Sequence, residues 1–384
     1  MSFQSLPRRT RRLFNKLNLP TDHPTAFFRP PNLTCFPMKS CFRLSILLAV
    51  LSATAFAQLP RVTVEGNHFV DPSGKTIVFR GLCLSDPDKL NRGEHWNKEY
   101  FAAAKSWGAT LVRLPVHPAA WRAQGQENYL KLLDQGVQWA TELGMYVIID
   151  WHSIGNLRTE LFQSSYSPLY LTDHQYDTTM KETFEFWRLM ATRYGKNPTV
   201  AFFELFNEPT VIRGQLGTCT WAQWKEIMEE TIVIVRANGG EAIPLIAGFD
   251  WAYDLSPVAK DPINAQGVAY VSHPYPMKRK APWEAAWTAD WGFVADKYPV
   301  VLTEIGFCAA DKRGAHIPVI GDATYGDAIT SYCAAHGISY TAWVFDAEWS
   351  PMLIEDWNFT PTPTGKYFKN ALQNPPKVLS NTGK

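Results

Sequence analysis

The chain has 384 residues, 46% apolar and 19% charged, with 37 Lys and Arg against 36 Asp and Glu. That apolar fraction excludes an intrinsically disordered chain, and the near-even charge balance offers no excess of basic residues to nucleic acid. Aromatic residues make up 14%, with 15 Trp, more than a core needs, because Trp is hard to bury completely.

Residues 1–57 stand apart. Residues 1–37 are rich in Arg and Pro and have no hydrophobic period. They read as an extension ahead of a start at Met38, spurious or a disordered basic arm. From Met38 the short basic start Met38-Lys39-Ser40-Cys41-Phe42-Arg43 leads into an apolar run over 44–53, then Ala55-Phe56-Ala57 and Gln58. A basic start, an apolar run too short for a bilayer and a small-x-small site make a secretory signal peptide over 38–57, with cleavage after Ala57. A secreted or periplasmic product is expected. Residues 1–57 hold eight Lys and Arg and one Asp, so 58–384 keep 29 basic and 35 acidic side chains, a net charge of −6. No nucleic-acid partner is expected of so acidic a remainder, and no other segment is apolar for long enough to span a membrane.

Residues 58–384 suffice for one large α/β domain. Glu65-Gly66-Asn67 and Asp71-Pro72-Ser73-Gly74 are turn signals between apolar runs, and predict a small N-terminal β-hairpin. Apolar strand candidates follow at 77–84, 109–116, 146–152, 200–207, 244–249, 268–275, 299–307 and 339–345. Helical patterns lie at 97–107, 127–143, 175–194, 221–238, 322–336 and 365–373. Eight strands without polar alternation, separated by helices or long loops, predict parallel βαβ units closed into a (β/α)8 TIM barrel. Cys83, Cys219 and Cys308 fall at one end of the barrel on non-adjacent units and Cys333 late in a helix towards the other end, so mostly free, buried thiols are expected although export would permit disulfides. No CxxC or His-x-x-x-His spacing points to a metal, and no cofactor is expected.

The carboxyl ends of the strands carry the chemistry. Strand two brings Arg113, strand three Asp150-Trp151-His152, strand four Asn207-Glu208-Pro209, strand six His273-Pro274-Tyr275, strand seven Thr303-Glu304-Ile305-Gly306 and strand eight Trp343. A polar group inside an apolar run is costly unless it is hydrogen-bonded or functional. Any one of these can be a satisfied core group; six strands placing such groups near one end is the pattern of a barrel active site. Two carboxylates among them, Glu208 and Glu304, are the pair that glycosidic-bond cleavage uses. Glu204 sits inside its strand and is expected to be a buried carboxylate with a partner.

On these motifs the chain resembles a glycoside hydrolase of family 5, in clan A of retaining (β/α)8 glycosidases, over residues 60–374. The resemblance implies that Glu208 is the general acid/base and Glu304 the nucleophile. It implies that Arg113 and Tyr275 support Glu304, that His273 tunes Glu208, that Asn207 and His152 bind sugar hydroxyls, and that Trp343 floors the central sugar. It implies a polysaccharide or oligosaccharide as partner and a monomer. Of the Trp residues in loop-like stretches, Trp121, Trp251, Trp283, Trp287, Trp291, Trp349 and Trp357, two or three are expected to line sugar subsites. Trp107, Trp139, Trp187 and Trp224 lie in helical patterns and read as core. The leading expectation is a secreted endo-β-1,4-glucanase. The alternatives are a β-mannanase or other β-glycosidase of the same family, and a carbohydrate-binding pseudoenzyme, which both carboxylates argue against.

Overall fold

The computed structural model describes residues 58–210 and 216–375. The extension expected over 1–37 and the signal peptide expected over 38–57 lie outside the described residues. Eight parallel strands close into a barrel in chain order: β1 Arg80–Cys83, β2 Leu111–Val116, β3 Tyr146–Trp151, β4 Val200–Glu204, β5 Ile243–Ala247, β6 Ala269–Val271, β7 Val300–Ile305 and β8 Ser339–Ala342. The first and last strands meet through pairing of Gly81 with Thr341. The (β/α)8 barrel expected from the sequence is the fold.

The burial pattern explains why the strands show no polar alternation. Leu111, Ile148, Phe202, Leu245, Ala269 and Val301 pack together inside the barrel. Their neighbours Val112, Val147, Phe203, Ile246, Tyr270 and Leu302 pack outward into the cluster that includes the helices. Both faces are buried, so both sets of positions are apolar. Helices Lys98–Ser106, Gln126–Leu143, Met180–Tyr194, Trp221–Ala237, Ala323–His336 and Pro363–Gln373 form the outer layer. Local chemistry sets their starts: the side chains of Asn97, Thr179, Thr220, Asp322 and Thr362 each accept from a first-turn N–H. The third of these helices begins at Met180, five residues later than its hydrophobic pattern, because Thr179 caps it.

Ahead of the barrel, Thr63–Glu65, His68–Val70 and Thr76–Ile77 form an antiparallel three-stranded sheet. Its Phe69 meets Phe202 edge-on at 5.0 Å and joins Phe79 and Tyr146 in the interior cluster. The amino end of the barrel is therefore plugged by aromatic rings. Polar groups gather at the other end, where Arg113, Asp150 and Glu204 are fully buried. Cys83, Cys219, Cys308 and Cys333 are free and buried among the described residues, as expected. Among the described residues no helix is long and apolar enough to cross a membrane.

Every barrel strand is shorter than its apolar run, and two of the early stops position site residues. β6 stops at Val271, and His273 turns its N–H to the Ala252 carbonyl. β4 stops at Glu204, and Glu208–Pro209 pair with Ile154–Gly155 in a small separate sheet that also contains Leu161–Phe162. Glu208 is thus carried on a ledge above the barrel.

Gly81 in β1 leaves room for its neighbour: a Cβ there would lie 1.9 Å from the Leu111 carbonyl oxygen. Gly81→Ala is expected to force the β1–β2 seam apart and cost about 3 kcal/mol. Thermal unfolding followed by circular dichroism checks this, with a fall of about 4 °C in Tm expected; an unchanged Tm would refute the close approach.

Candidate active site

The site grows from Arg113, whose side chain is fully buried near the carboxyl end of β2. Its Nε donates to Glu204 Oε2 at 2.7 Å and its Nη2 to Glu204 Oε1 at 3.0 Å, a bidentate pair. Nη1 donates to Glu304 Oε1 at 2.9 Å and contacts Cys83 Sγ at 3.4 Å. Nη2 also donates to Asn207 Oδ1 at 2.6 Å and lies 3.0 Å from Asp150 Oδ2. Because a guanidinium only donates, Asn207 must present its oxygen to Arg113. Its Nδ2 is then left buried with no hydrogen-bond partner among the described residues.

Glu304 lies in β7, where the pairing with β8 slips: Leu302 faces Tyr340, but Ile305 faces Ala342. One extra residue on β7 is a bulge, and a bulge re-aims side chains. Consecutive residues Thr303 and Glu304 consequently both make contacts in the site. Tyr275 donates its hydroxyl to Glu304 Oε2 at 2.7 Å. Burial pushes the Glu304 carboxyl above the ordinary carboxylate range, and the Glu208 charge adds to this. The cations of His273 and Arg113 and the Tyr275 hydroxyl pull the other way.

Glu208 contacts His273, with Oε1 3.0 Å from Nδ1. The other ring nitrogen, Nε2, lies 2.8 Å from Thr303 Oγ1. Burial works against an imidazolium here, but the Glu304, Glu204 and Glu208 carboxylates outweigh it and push His273 up to about 9. One oxygen each of Glu208 and Glu304 and one nitrogen of His273 all lie within 4.8 Å of one another. His273 already spends both nitrogens on protein hydrogen bonds, so it offers a cation no free lone pair.

His152 places Nδ1 2.6 Å from Asp150 Oδ2, and its ring stacks on Trp343 at 5.4 Å with 2° between planes. Burial, reinforced by nearby His117, Arg113 and His273, holds His152 well below the usual histidine value, hence neutral. Burial pushes the Asp150 carboxyl up, but its Oδ2 also faces the Arg113 guanidinium at 3.0 Å, which favours an accepting oxygen, so Nδ1–H donates to Asp150 and leaves Nε2 as an acceptor. A cleft of about 650 Å³ opens beside Trp343 and His152 and runs past His117, Tyr176 and Trp349 to Lys89. Trp349 lies nearly parallel to Trp343, 6.1 Å away, and Lys89 Nζ sits 5.1 Å above the Trp349 ring.

All eight residues singled out in the sequence, Arg113, His152, Asn207, Glu208, His273, Tyr275, Glu304 and Trp343, come together at this end of the barrel. Three members of the surroundings had no role assigned from the sequence: His117, Tyr176 and Thr303, the last quoted only as part of the Glu304 motif. His117 directly follows β2 in Val116-His117-Pro118 and obeys the strand-end rule that found the others. Tyr176 lies in a long loop, with no signal. The Trp expectation needs correction: Trp287 and Trp291 are fully buried, and Trp121 is nearly so. Trp283, Trp287 and Trp291 recur every four residues, a helical spacing, and the helix Glu284–Asp290 turns them into the outer core. Among the loop tryptophans Trp349 lines the cleft.

A family model described as cellulase (glycosyl hydrolase family 5) matches residues 70–348. Endoglucanase A of Butyrivibrio fibrisolvens is 27% identical over 267 residues, 66% of this chain and 54% of that protein. Endoglucanase Z of Dickeya dadantii is 27% identical over 252 residues, 62% and 50% of the two chains. The chain spans about half the length of these relatives. Among solved structures, a β-glucanase of Saccharophagus degradans, seen in native form and with cellotetraose, is 46% identical with a TM-score of 0.78, over 82% of this chain and 94% of that one. The catalytic domain of a Thermobifida fusca endoglucanase, 20% identical with a TM-score of 0.64 over 82% and 97% of the chains, shares the fold. The family match takes in every barrel strand and all eight site residues, and the chain belongs to the cellulase family, glycosyl hydrolase family 5.

Proposed function

We propose that this chain is a retaining endo-β-1,4-glucanase acting through a covalent glycosyl-enzyme. The observation that carries this reading is the approach of Glu208 and Glu304, with one oxygen of each within 4.8 Å of the other. Retaining glycosidases hold their carboxyl groups about 5–5.5 Å apart, whereas inverting ones need roughly 6.5–9.5 Å to admit a water. Glu304, which accepts from Arg113 and Tyr275, is the nucleophile, since those donors favour a charged carboxylate. Glu208, on its ledge against His273, gives its proton to the leaving oxygen and then takes one from the attacking water. Asn207 Nδ2 is a donor with no partner among the described residues and suits the hydroxyl next to the anomeric carbon. His152 Nε2 is an acceptor for a second hydroxyl. Trp343 and Trp349 offer near-parallel faces, which suit the C–H faces of consecutive equatorial sugars in a β-1,4-glucan. The relatives, two endoglucanases and a β-glucanase seen in complex with cellotetraose, point the same way. A polysaccharide or oligosaccharide is the partner, the working unit is a monomer, and no metal takes part.

The decisive experiment compares Glu304→Gln with Glu208→Ala on carboxymethyl cellulose, mixed-linkage glucan, galactomannan and an activated aryl β-glycoside. Glu304→Gln is expected to lower kcat about 10⁴-fold on every substrate, and Glu208→Ala to spare the aryl glycoside. Product NMR should show retention. Inversion, or equal losses for the two variants on all substrates, would overturn the roles. Galactomannan cleaved ten times better than the glucans would replace glucanase by mannanase.

The acid limb of the pH profile follows from Glu304. Its ionised form is active, so activity is lost as pH falls through a pKa already raised by burial. Tyr275→Phe removes a donor to the anion and is expected to move this limb upward by roughly 1–2 pH units. Wild-type and variant kcat/KM across pH 3–8 check this, and a limb that stays or moves down would refute it.

Export by cleavage after Ala57 completes the reading. N-terminal sequencing of material exported by a bacterial host is expected to begin Gln58-Leu59-Pro60, and an intact Met38 would refute it.

A further inference from the structure

Thr303 is buried beside the two carboxylates but touches neither. Its Oγ1 lies 2.8 Å from Glu204 Oε1 and 2.8 Å from His273 Nε2. The direction of these two bonds can be worked out. Burial alone would raise the Glu204 carboxyl, but the Arg113 guanidinium and His273 hold it below its ordinary value. Glu204 is therefore a carboxylate, which only accepts, so the Thr303 hydroxyl must donate to it. With its one hydrogen spent, Thr303 Oγ1 can only accept from His273, so Nε2 carries a hydrogen. The neutral ring then has a single tautomer, with a bare Nδ1, and Nδ1 is the nitrogen that faces Glu208.

We propose that Thr303 is a positioning residue for the acid/base step: its hydroxyl, tied to Glu204, fixes Nε2–H of His273 and makes Nδ1 the atom that shares a proton with Glu208. The inference rests on Glu208 being the acid. Glu208 and His273 then hold one exchangeable proton between them, on the carboxyl or on Nδ1. When Glu208 gives it to the glycosidic oxygen, the C–O bond breaks, Glu304 bonds to the anomeric carbon, and Nδ1 and Glu208 are both left bare. The attacking water returns a proton to Glu208 as the glycosyl–Glu304 bond breaks, and the pair is reset. Without the Thr303 acceptor the Glu208 carboxylate is the hydrogen-bonding neighbour that sets the tautomer of the neutral ring; it draws the hydrogen to Nδ1, where it holds the acid in its unprotonated form.

The groups facing His273 set the proton affinity of the pair. From β4 come Glu204, 3.8 Å from Nε2, and beyond it Glu208. From β7 come Thr303 and Glu304, the latter 3.8 Å from Nδ1. Arg113 and Tyr275 reach it indirectly, through Glu304. The three carboxylates favour a proton on the pair; Thr303 decides which nitrogen exchanges it.

The test compares wild type, Thr303→Ser and Thr303→Val in the full enzyme. The basic limb of kcat/KM on carboxymethyl cellulose reports the shared proton. Thr303→Val keeps the side-chain shape and removes the hydroxyl, and is expected to move that limb down by roughly 1–2 pH units. Thr303→Ser is expected to restore it, and the limb for an activated aryl β-glycoside should not move in either variant. Imidazole ¹⁵N NMR should show Nε2 of His273 protonated across the pH range in wild type and Thr303→Ser, and a change of tautomer in Thr303→Val. An unmoved limb in Thr303→Val, a serine variant behaving like valine, or a bare Nε2 in wild type would each overturn the proposal. The NMR result judges Thr303 even if Glu208→Ala, losing equally on both substrates, shows that Glu208 is not the acid.

Discussion

The interior of the site depends on one guanidinium. Arg113 is buried, and all of its N–H groups point at Glu204, Glu304, Asn207, Asp150 or Cys83. A carboxylate deep in a barrel is tolerable only when paired, and breaking a buried pair costs about 3–5 kcal/mol. Here a single cation answers carboxylates from β3, β4 and β7. Lysine would supply the charge but not the planar fork that fixes Glu204 in a bidentate pair while reaching Glu304 with another nitrogen. Arg113 also orients what it does not neutralise. By taking the oxygen of Asn207 it leaves the amide nitrogen free, and by holding Glu204 anionic it fixes the direction of the Thr303 hydroxyl.

The two candidate carboxylates differ because their supports differ. Glu304 sits in a barrel strand among donors, with 6% of its side chain exposed. Glu208 sits outside the barrel ladder on the small sheet with Ile154, and 12% of its side chain is exposed. Its N–H is held by the Ser153 carbonyl, so the ledge is anchored just beyond β3, next to His152. A group that must give and regain a proton needs access to water and to a proton-sharing neighbour. One that must stay charged needs fixed donors. These two positions divide those requirements between them.

Much of this was legible in the residues. Every barrel strand lies within, or starts one residue before, an apolar run that marked it, since burial on both faces leaves no other pattern. The eight candidate site residues were picked out by one rule, polar or aromatic groups near strand carboxyl ends. The failures have physical causes. Apolar runs overshoot strands where the chain leaves the ladder but stays buried, as it does after Glu204 and after Val271. Trp283, Trp287 and Trp291 were read as loop residues because the helix carrying them is seven residues long and begins at a Trp without a side-chain cap. Thr303 was given no role because a strand should point neighbours to opposite faces, and the bulge between Leu302 and Ile305 suspends that rule beside Glu304.

The bulge also explains how a small barrel end can hold so much chemistry. Regular strands deliver one inward side chain for every two residues, so eight strands give few positions in any one layer. Slipping β7 by one residue against β8 brings Thr303 and Glu304 into the same polar layer, one reaching toward His273 and Glu204, the other toward Arg113 and Tyr275. The barrel ladder ends early on both sides of this cluster, and the freed residues Asn207, Glu208, His273 and Tyr275 close over it. The polar layer is therefore built from departures from regular strand geometry. The plugged amino end, where Phe202 meets Phe69 and Phe79 edge to face, holds the frame that makes those departures affordable.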